Sequence, residues 1–205
     1  MSIVQNNWHF AEHPELLDDP ALRAAFNPDA LVRWDDPESR AEIVEASGFE
    51  DRKAAFRQVQ DFVKTGKLVI GICNGFQVLV KMGLLPGDED VSLTQTASLT
   101  LNNTGHYEDR WVHLEFDSES PCVWTQGLER IRVPVRHGEG KFVTTIDANL
   151  DQWAKSGQLV VRYIDPDDAY PSAGDELLPF PICPNASMRN IAGVCDPTGR
   201  VFGLM

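Results

Sequence analysis

Cysteine is scarce in this 205-residue sequence, and the four present, Cys73, Cys122, Cys183 and Cys195, form no C-x-x-C pair. Their spacing suggests neither a zinc site nor a disulfide scaffold, and no metal ion is expected. Basic residues are also in deficit, 18 Lys and Arg against 31 Asp and Glu, for a net charge of −13. Such a surface repels phosphate backbones and anionic lipid, so no nucleic-acid or membrane partner is expected. No apolar run reaches the ~20 residues that cross a bilayer. The first residues, "MSIVQNNWHF", lack the basic start and apolar stretch of a secretory signal. A reducing, cytoplasmic setting is the expectation. Internal repeats and low-complexity linkers are missing too, which makes one domain over residues 1–205 the simplest organisation.

What is present sharpens after residue 50. The first 50 residues are acidic and interrupted by Pro14, Pro20, Pro28 and Pro37. They allow short helices at Pro20–Phe26 and Pro37–Ala46 and a strand at Ala30–Trp34. "DRKAAFRQVQDFVKTG" then places Ala55, Phe56, Val59, Phe62 and Val63 on one helical stripe, with Gly66 as a left-handed terminator. "KLVIGI" reads as a short strand buried on both faces, and "NGFQVLVKMG" as a second helix stopped at Gly83. Helix, buried strand, helix is the unit of a parallel α/β sheet. Beyond residue 91 the pattern is mostly strand. "VSLTQTASLTLNN" is rich in β-branched residues, and "WVHLEF" alternates with Val112, Leu114 and Phe116 on one face. In "RIRVPVRHGEGKFV", Pro134 favours an edge or bent strand. "QLVVRYI" is a further strand, and "IAGVCDPTGRVFGLM" reads as two strands joined by a turn at Asp196–Gly199.

The sharpest feature is Gly71-Ile72-Cys73-Asn74-Gly75, a cysteine between two glycines where a strand must turn into a helix. This G-x-nucleophile-x-G form is that of a nucleophile elbow. A thiol on such a corner stands at the carboxyl end of a strand and over the first turn of the next helix, where positive partial charge favours thiolate. Both glycines are expected to be sterically required, because a Cβ at either position would meet adjacent chain. The backbone N–H of Asn74 is placed to meet the oxygen of an attacked carbonyl. The bland alternative, that Cys73 is a small buried hydrophobe, fits an isolated cysteine better than one in this setting.

"GICNGFQVLVKMGLLPG" resembles the nucleophile segment of class I glutamine amidotransferases, and more narrowly the glutaminase components of phosphoribosylformylglycinamidine synthases. "SLTLNNTGHYEDRWVHLEF", "PVRHGEGKFV" and "PNASMRNIAGVCDPTGRVFGLM" are similar to the same family in the same order, so the likeness runs from Lys53 to Met205. The resemblance implies a three-layer α/β fold with a mainly parallel sheet flanked by helices. It implies that Cys73 attacks the side-chain amide of glutamine, forming a glutamyl thioester and releasing ammonia. The ammonia would pass to a synthetase subunit or fused domain that uses ATP and magnesium, with no cofactor in this chain. Gly71 and Gln77 would lie by the bound glutamine, and Arg136 and His137 would belong to a loop lining its pocket. By the resemblance His137 is structural or pocket-lining, and a general base for Cys73 is the less favoured alternative.

Two departures stand beside these matches. The family's catalytic histidine and glutamate lie in a P-H-P-E segment, and no residue of this sequence matches either. Residues 1–50 contain no counterpart of the family's first strand and glycine-rich loop, so the N-terminal portion of the sheet is expected to be incomplete or replaced. Ala186 also stands where the family usually has glycine, a less permissive backbone choice. The rival expectation is a catalytically impaired pseudo-amidotransferase that serves as an assembly domain for the synthetase. A DJ-1-like cysteine hydrolase is a third reading, against which the stretches after residue 92 argue. His106 and His113 read as residues of a solvated strand face, and Glu108, Asp109 and Arg110 as an ion-paired turn rather than a catalytic cluster.

Overall fold

A short helix-strand-helix run leads into a six-stranded sheet in the structure, a computed structural model that describes residues 49–88, 94–167 and 176–205, with side chains from residue 56. The helices expected at Pro20–Phe26 and Pro37–Ala46 and the strand at Ala30–Trp34 lie outside the described residues. By its contacts the chain divides into residues 1–59 and 60–205. The first helix crosses that boundary, and every other described element lies in the second unit.

Helix α1 runs Phe49–Lys64 and ends as its sequence dictates, with Gly66 at φ 78°. Strand β1, Val69–Ile72, follows, then helix α2, Asn74–Lys81. The remaining elements are β2 (Ser98–Thr100), β3 (Glu108–Phe116), β4 (Arg130–His137), β5 (Lys141–Val143), α3 (Asp147–Lys155), β6 (Val161–Ile164), a 3₁₀ turn at Met188–Asn190, β7 (Ile191–Cys195) and β8 (Val201–Leu204). The main sheet has the order β1-β8-β7-β6-β3-β4, and β2 and β5 form a separate antiparallel pair.

The α/β architecture with flanking helices is as the sequence implies, but the described sheet is mixed rather than mainly parallel. Only β1 and β8 run parallel, with Val69 opposite Val201 and Gly71 opposite Gly203. The pairs β3–β4, β3–β6, β6–β7 and β7–β8 are all antiparallel. The reason lies in the connections. The short turn from β7 to β8 can only return the chain antiparallel, whereas a parallel partner needs a long crossover. That turn is the one anticipated at Asp196–Gly199: the Asp196 carboxylate accepts from the N–H groups of Thr198, Arg200 and Val201, and Gly199 takes φ 69°.

Alternation in "WVHLEF" works as read. Val112, Leu114 and Phe116 are buried and join Val135, Val161, Tyr163, Val194 and Phe202 in the core. Pro134 sits in β4, the edge strand at one end of the described sheet, where its missing N–H is tolerated. Strand β1, at the other end, departs from expectation. Only Gly71 is buried in it; Leu68, Ile70 and Ile72 are exposed, so this apolar run is covered on one face rather than two. The covered face is the one that meets α2. Phe76, Leu79 and Val80 are buried there, and a Cβ added at Gly203 would run into the Phe76 ring. Burying Phe76 in full contributes about 2–3 kcal/mol by area. Phe76 stacks on Phe142 of β5 at 6.3 Å, and Phe142 meets Trp153 of α3 edge-on at 6.2 Å. This aromatic row ties the helix after Cys73 to the strand after the RHGEG segment.

Candidate active site

Sterics build the corner at Cys73. The residue caps α2 with φ 52° and ψ −113°, a positive-φ backbone that a non-glycine residue adopts only under constraint. Its N–H donates to the Leu204 carbonyl at 2.8 Å, and its own carbonyl accepts from the N–H of Gln77 at 3.2 Å, opening the helix. β8 thus holds the corner from behind while α2 leaves it in front. Gly71 is required: a Cβ there would lie 2.6 Å from the Gly75 carbonyl carbon and from Leu79 Cδ1. Gly75 is not required in this sense. A Cβ there would meet nothing within 4 Å, which corrects the expectation that both glycines serve the turn's sterics. The reason is that Gly75 lies in the first turn of α2, where ordinary helical φ leaves its outward side open.

The corner leaves Cys73 half-buried and Asn74 exposed. Cys122, Cys183 and Cys195 are all buried, at 0%, 2% and 0% exposure, so Cys73 is the chain's accessible thiol among them. The Asn74 N–H belongs to the first turn of a helix, whose N–H groups have no intrahelical acceptor and remain available to an incoming oxygen. Two open clefts, of about 580 and 410 Å³, flank α3 and are lined by no residue of the elbow. Among the described residues no group of three or more His, Cys, Asp or Glu is placed to hold a metal ion, and no helix is long and apolar enough to cross a membrane.

Gln77 reaches from α2 to the RHGEG segment. Its Nε2 donates to the Glu139 carbonyl at 2.8 Å, across 62 residues of sequence. The turn at residues 137–140 is fixed from other sides as well. Asn102 Nδ2 donates to the His137 carbonyl at 2.8 Å, and the Asn102 backbone N–H to that of Gly138 at 3.0 Å. Asn102 Oδ1 accepts from the Gly140 N–H at 3.0 Å. On the far side Asn185 Nδ2 donates to the Gly140 carbonyl at 2.7 Å, with its other contact on the Tyr163 hydroxyl.

Arg136 and His137 are neighbours in sequence, but one side chain is exposed and the other buried. Arg136 stands on the exposed face of β4, its Nε 3.1 Å from Asp109 Oδ1 in a surface ion pair. His137 is 4% exposed, its ring lying over the Gly140 Cα so closely that a Cβ there would collide with it. Asn102 Nδ2 gives its hydrogens to carbonyls, so Oδ1 must be the acceptor 3.1 Å from His137 Nδ1. The imidazole therefore carries its proton on Nδ1 and keeps a buried Nε2 with no hydrogen-bond partner in the structure. Burial, the main cause, holds its pKa below the ordinary value and keeps it neutral, against smaller opposing effects from a backbone hydrogen bond and from Glu108. The side chain thus braces the turn from beneath, while Arg136 and Glu139 are the segment's exposed residues. No described histidine hydrogen-bonds Cys73, including the exposed His106 and the half-buried His113. Glu108 and Arg110 form an ion pair at 2.7 Å, though inside β3 rather than in a turn.

Comparison with known proteins places the chain in a family. Residues 30–205 match the family model described as a CobB/CobQ-like glutamine amidotransferase domain, a match that starts well before Lys53 and takes in much of the N-terminal segment. Proteins named phosphoribosylformylglycinamidine synthase subunit PurQ are similar. That of Treponema denticola is 41% identical over 162 residues, covering 73% of this chain and 58% of the relative. That of Archaeoglobus fulgidus is 40% identical over 157 residues, covering 73% and 55%. Among solved structures, that of PurLQS from Thermotoga maritima aligns with a TM-score of 0.50 at 30% identity, over 73% of this chain and 55% of the matched one. The chain spans about half the length of the curated relatives it matches. With the elbow, the turn and a family match over 176 of 205 residues, this chain belongs to the CobB/CobQ-like glutamine amidotransferase domain family.

Proposed function

We propose that this chain is the glutaminase component of a phosphoribosylformylglycinamidine synthase. Its task would be to release ammonia from glutamine for a synthetase that converts formylglycinamide ribonucleotide to the amidine. The observation that carries the reading is the half-exposed Cys73 at φ 52° on a strand-to-helix corner, with Gln77 one helical turn later bonded to the Glu139 carbonyl. The likeness to subunits named PurQ supports the choice of substrate and partner.

In this reading Cys73 Sγ attacks the side-chain carbonyl carbon of glutamine, and the developing oxyanion takes the N–H of Asn74. Collapse of the tetrahedral species breaks the C–N bond, and the nitrogen leaves as ammonia after gaining a proton. Water then cleaves the thioester to glutamate and restores the thiol. The 137–140 turn forms a wall of the glutamine pocket, Gly71 lets the elbow close on α2, and Gln77 fixes the distance between nucleophile and wall. His137 supports that wall and is not the base. ATP and magnesium belong to the synthetase partner, and the setting is the cytoplasm.

A second reading, an assembly domain without glutaminase chemistry, is favoured by one observation: no described histidine meets Cys73. Treatment with a glutamine-like diazoketone, with and without the synthetase component, separates the two. A saturable adduct on Cys73 that is lost in Cys73→Ser supports the glutaminase. No adduct in either condition leaves the assembly role.

A further inference from the structure

We propose that Asn102 is a positioning residue for the glutamine pocket, holding the 137–140 turn in register with Cys73. This rests on the glutaminase reading above and names a residue that neither the elbow nor the RHGEG motif contains.

All four carbonyls of the turn are claimed, and by separate segments of the chain. His137 O is taken by Asn102 Nδ2, Gly138 O by the Asn102 N–H, Glu139 O by Gln77 Nε2, and Gly140 O by Asn185 Nδ2. Asn102 alone grips both ends, since its Oδ1 also accepts from the Gly140 N–H and faces His137 Nδ1. With its carbonyls committed, the turn has N–H groups to offer a ligand, and that of Gly140 is already given to Asn102. The side chain is 2% exposed, so water does not compete for these bonds. Only a short amide fits the task. Donor and acceptor on one planar group are needed together, and aspartate would set a carboxylate against the His137 and His106 carbonyls that now receive hydrogens.

Asn102 also reaches outward. Its carbonyl closes the Gly105 turn, and neighbouring Asn103 accepts from Lys141 Nζ at 2.7 Å. Residues 102–105 and 137–141 are therefore tied to one another, and Gln77 bonds that unit to the nucleophile's helix. Loss of the clamp frees the wall but leaves the elbow intact, because β8, Gly71 and Leu79 build the corner without it. Binding of glutamine should suffer, and the reactivity of the thiol should not.

The test uses the full chain with two reagents on Cys73, iodoacetamide for the bare thiol and the diazoketone for thiol plus pocket. Asn102→Ala is expected to keep iodoacetamide labelling within about 2-fold of wild type. Its half-saturating diazoketone concentration should rise about 10-fold or more, as a lost pair of buried hydrogen bonds implies. Gln158→Ala, which removes a buried amide bonded to the Pro86 carbonyl far along the chain, is the control for simple destabilisation. It should leave both labelling rates unchanged. Asn102→Ser replaces the alanine variant if that chain does not fold. Wild-type diazoketone saturation in the Asn102 variant, or an equal loss in Gln158→Ala, overturns the positioning role alone. A wild-type chain that iodoacetamide labels but the diazoketone does not saturate overturns the glutaminase reading itself, and the positioning role with it.

Discussion

The corner at Cys73 and the turn at residues 137–140 are joined through Gln77 but are held by different physics. The corner is steric. A four-residue strand, a glycine with no room for a Cβ and a helix packed through Phe76 and Leu79 leave Cys73 at φ 52°. The turn is electrostatic, its carbonyls gripped by amides from residues 77, 102 and 185. A steric corner is written in consecutive residues and can be read as a motif. A clamped turn is assembled from distant segments, and each asparagine in it looks like any other loop asparagine.

Substitutions can break this contrast at both ends. The largest effect, under the proposed glutaminase function, is expected from Cys73→Ser, which should lower ammonia release by on the order of 10⁴-fold or more while leaving thermal stability near wild type. Steady-state ammonia release and a melting curve on the same sample check both halves. Next in size is Gly71→Ala, which should destabilise by about 1–3 kcal/mol because the new Cβ meets the Gly75 backbone. Its partner Gly75→Ala sharpens the comparison. With open space around the added methyl and a helical backbone, it should be neutral or stabilising by up to about 1 kcal/mol. Denaturant midpoints of the two variants that shifted equally would remove the distinction between the glycines.

The turn has its own signature in pH. Burial lowers the folded-state pKa of His137 below its unfolded value of 6.5. Between those two values the unfolded chain binds a proton that the folded chain refuses. The stability contributed by neutral His137 is thus complete above pH 6.5 and is lost as pH falls through the folded pKa. Melting temperatures taken downward from about pH 7.5 should show a decline that is shallower in His137→Gln; parallel curves would mean the imidazole is not held neutral by the fold. The smallest effect concerns Ala186, which sits at φ 59° in the buried loop that carries Asn185. Ala186→Gly should relieve this strain and stabilise by about 1 kcal/mol, read as a rise of roughly 2–4 °C in melting temperature.

Much of the fold was legible because its signals are local. Val112, Leu114 and Phe116 alternate and are buried; Gly66 and Gly199 sit where a left-handed residue is needed; Pro134 marks an edge. The errors came where a local signal has two tertiary outcomes. "KLVIGI" reads as a strand covered on both sides, yet Ile70 and Ile72 are exposed, because an apolar run does not say how many faces find a partner. Helix, strand, helix predicts parallel pairing, and β1 does pair parallel with β8, but the other pairs of the described sheet, the β7–β8 hairpin among them, are antiparallel.

In the candidate site the same line divides what was legible from what was not. The resemblance assigns Arg136 and His137 to the pocket loop without saying which side chain is buried. Arg136 is a surface ion-pair partner and His137 a buried brace. Asn102 and Asn185, which do hold the turn, lie in two of the family-like stretches, but nothing there sets either apart from its neighbours. The amino-acid order by itself determined where the chain must bend and which thiol the bend presents, since backbone clashes between near neighbours in sequence depend on little else. Tertiary structure alone decided which loop the helix after that thiol is bonded to, because a hydrogen bond from residue 77 to residue 139 exists only once packing has set their distance.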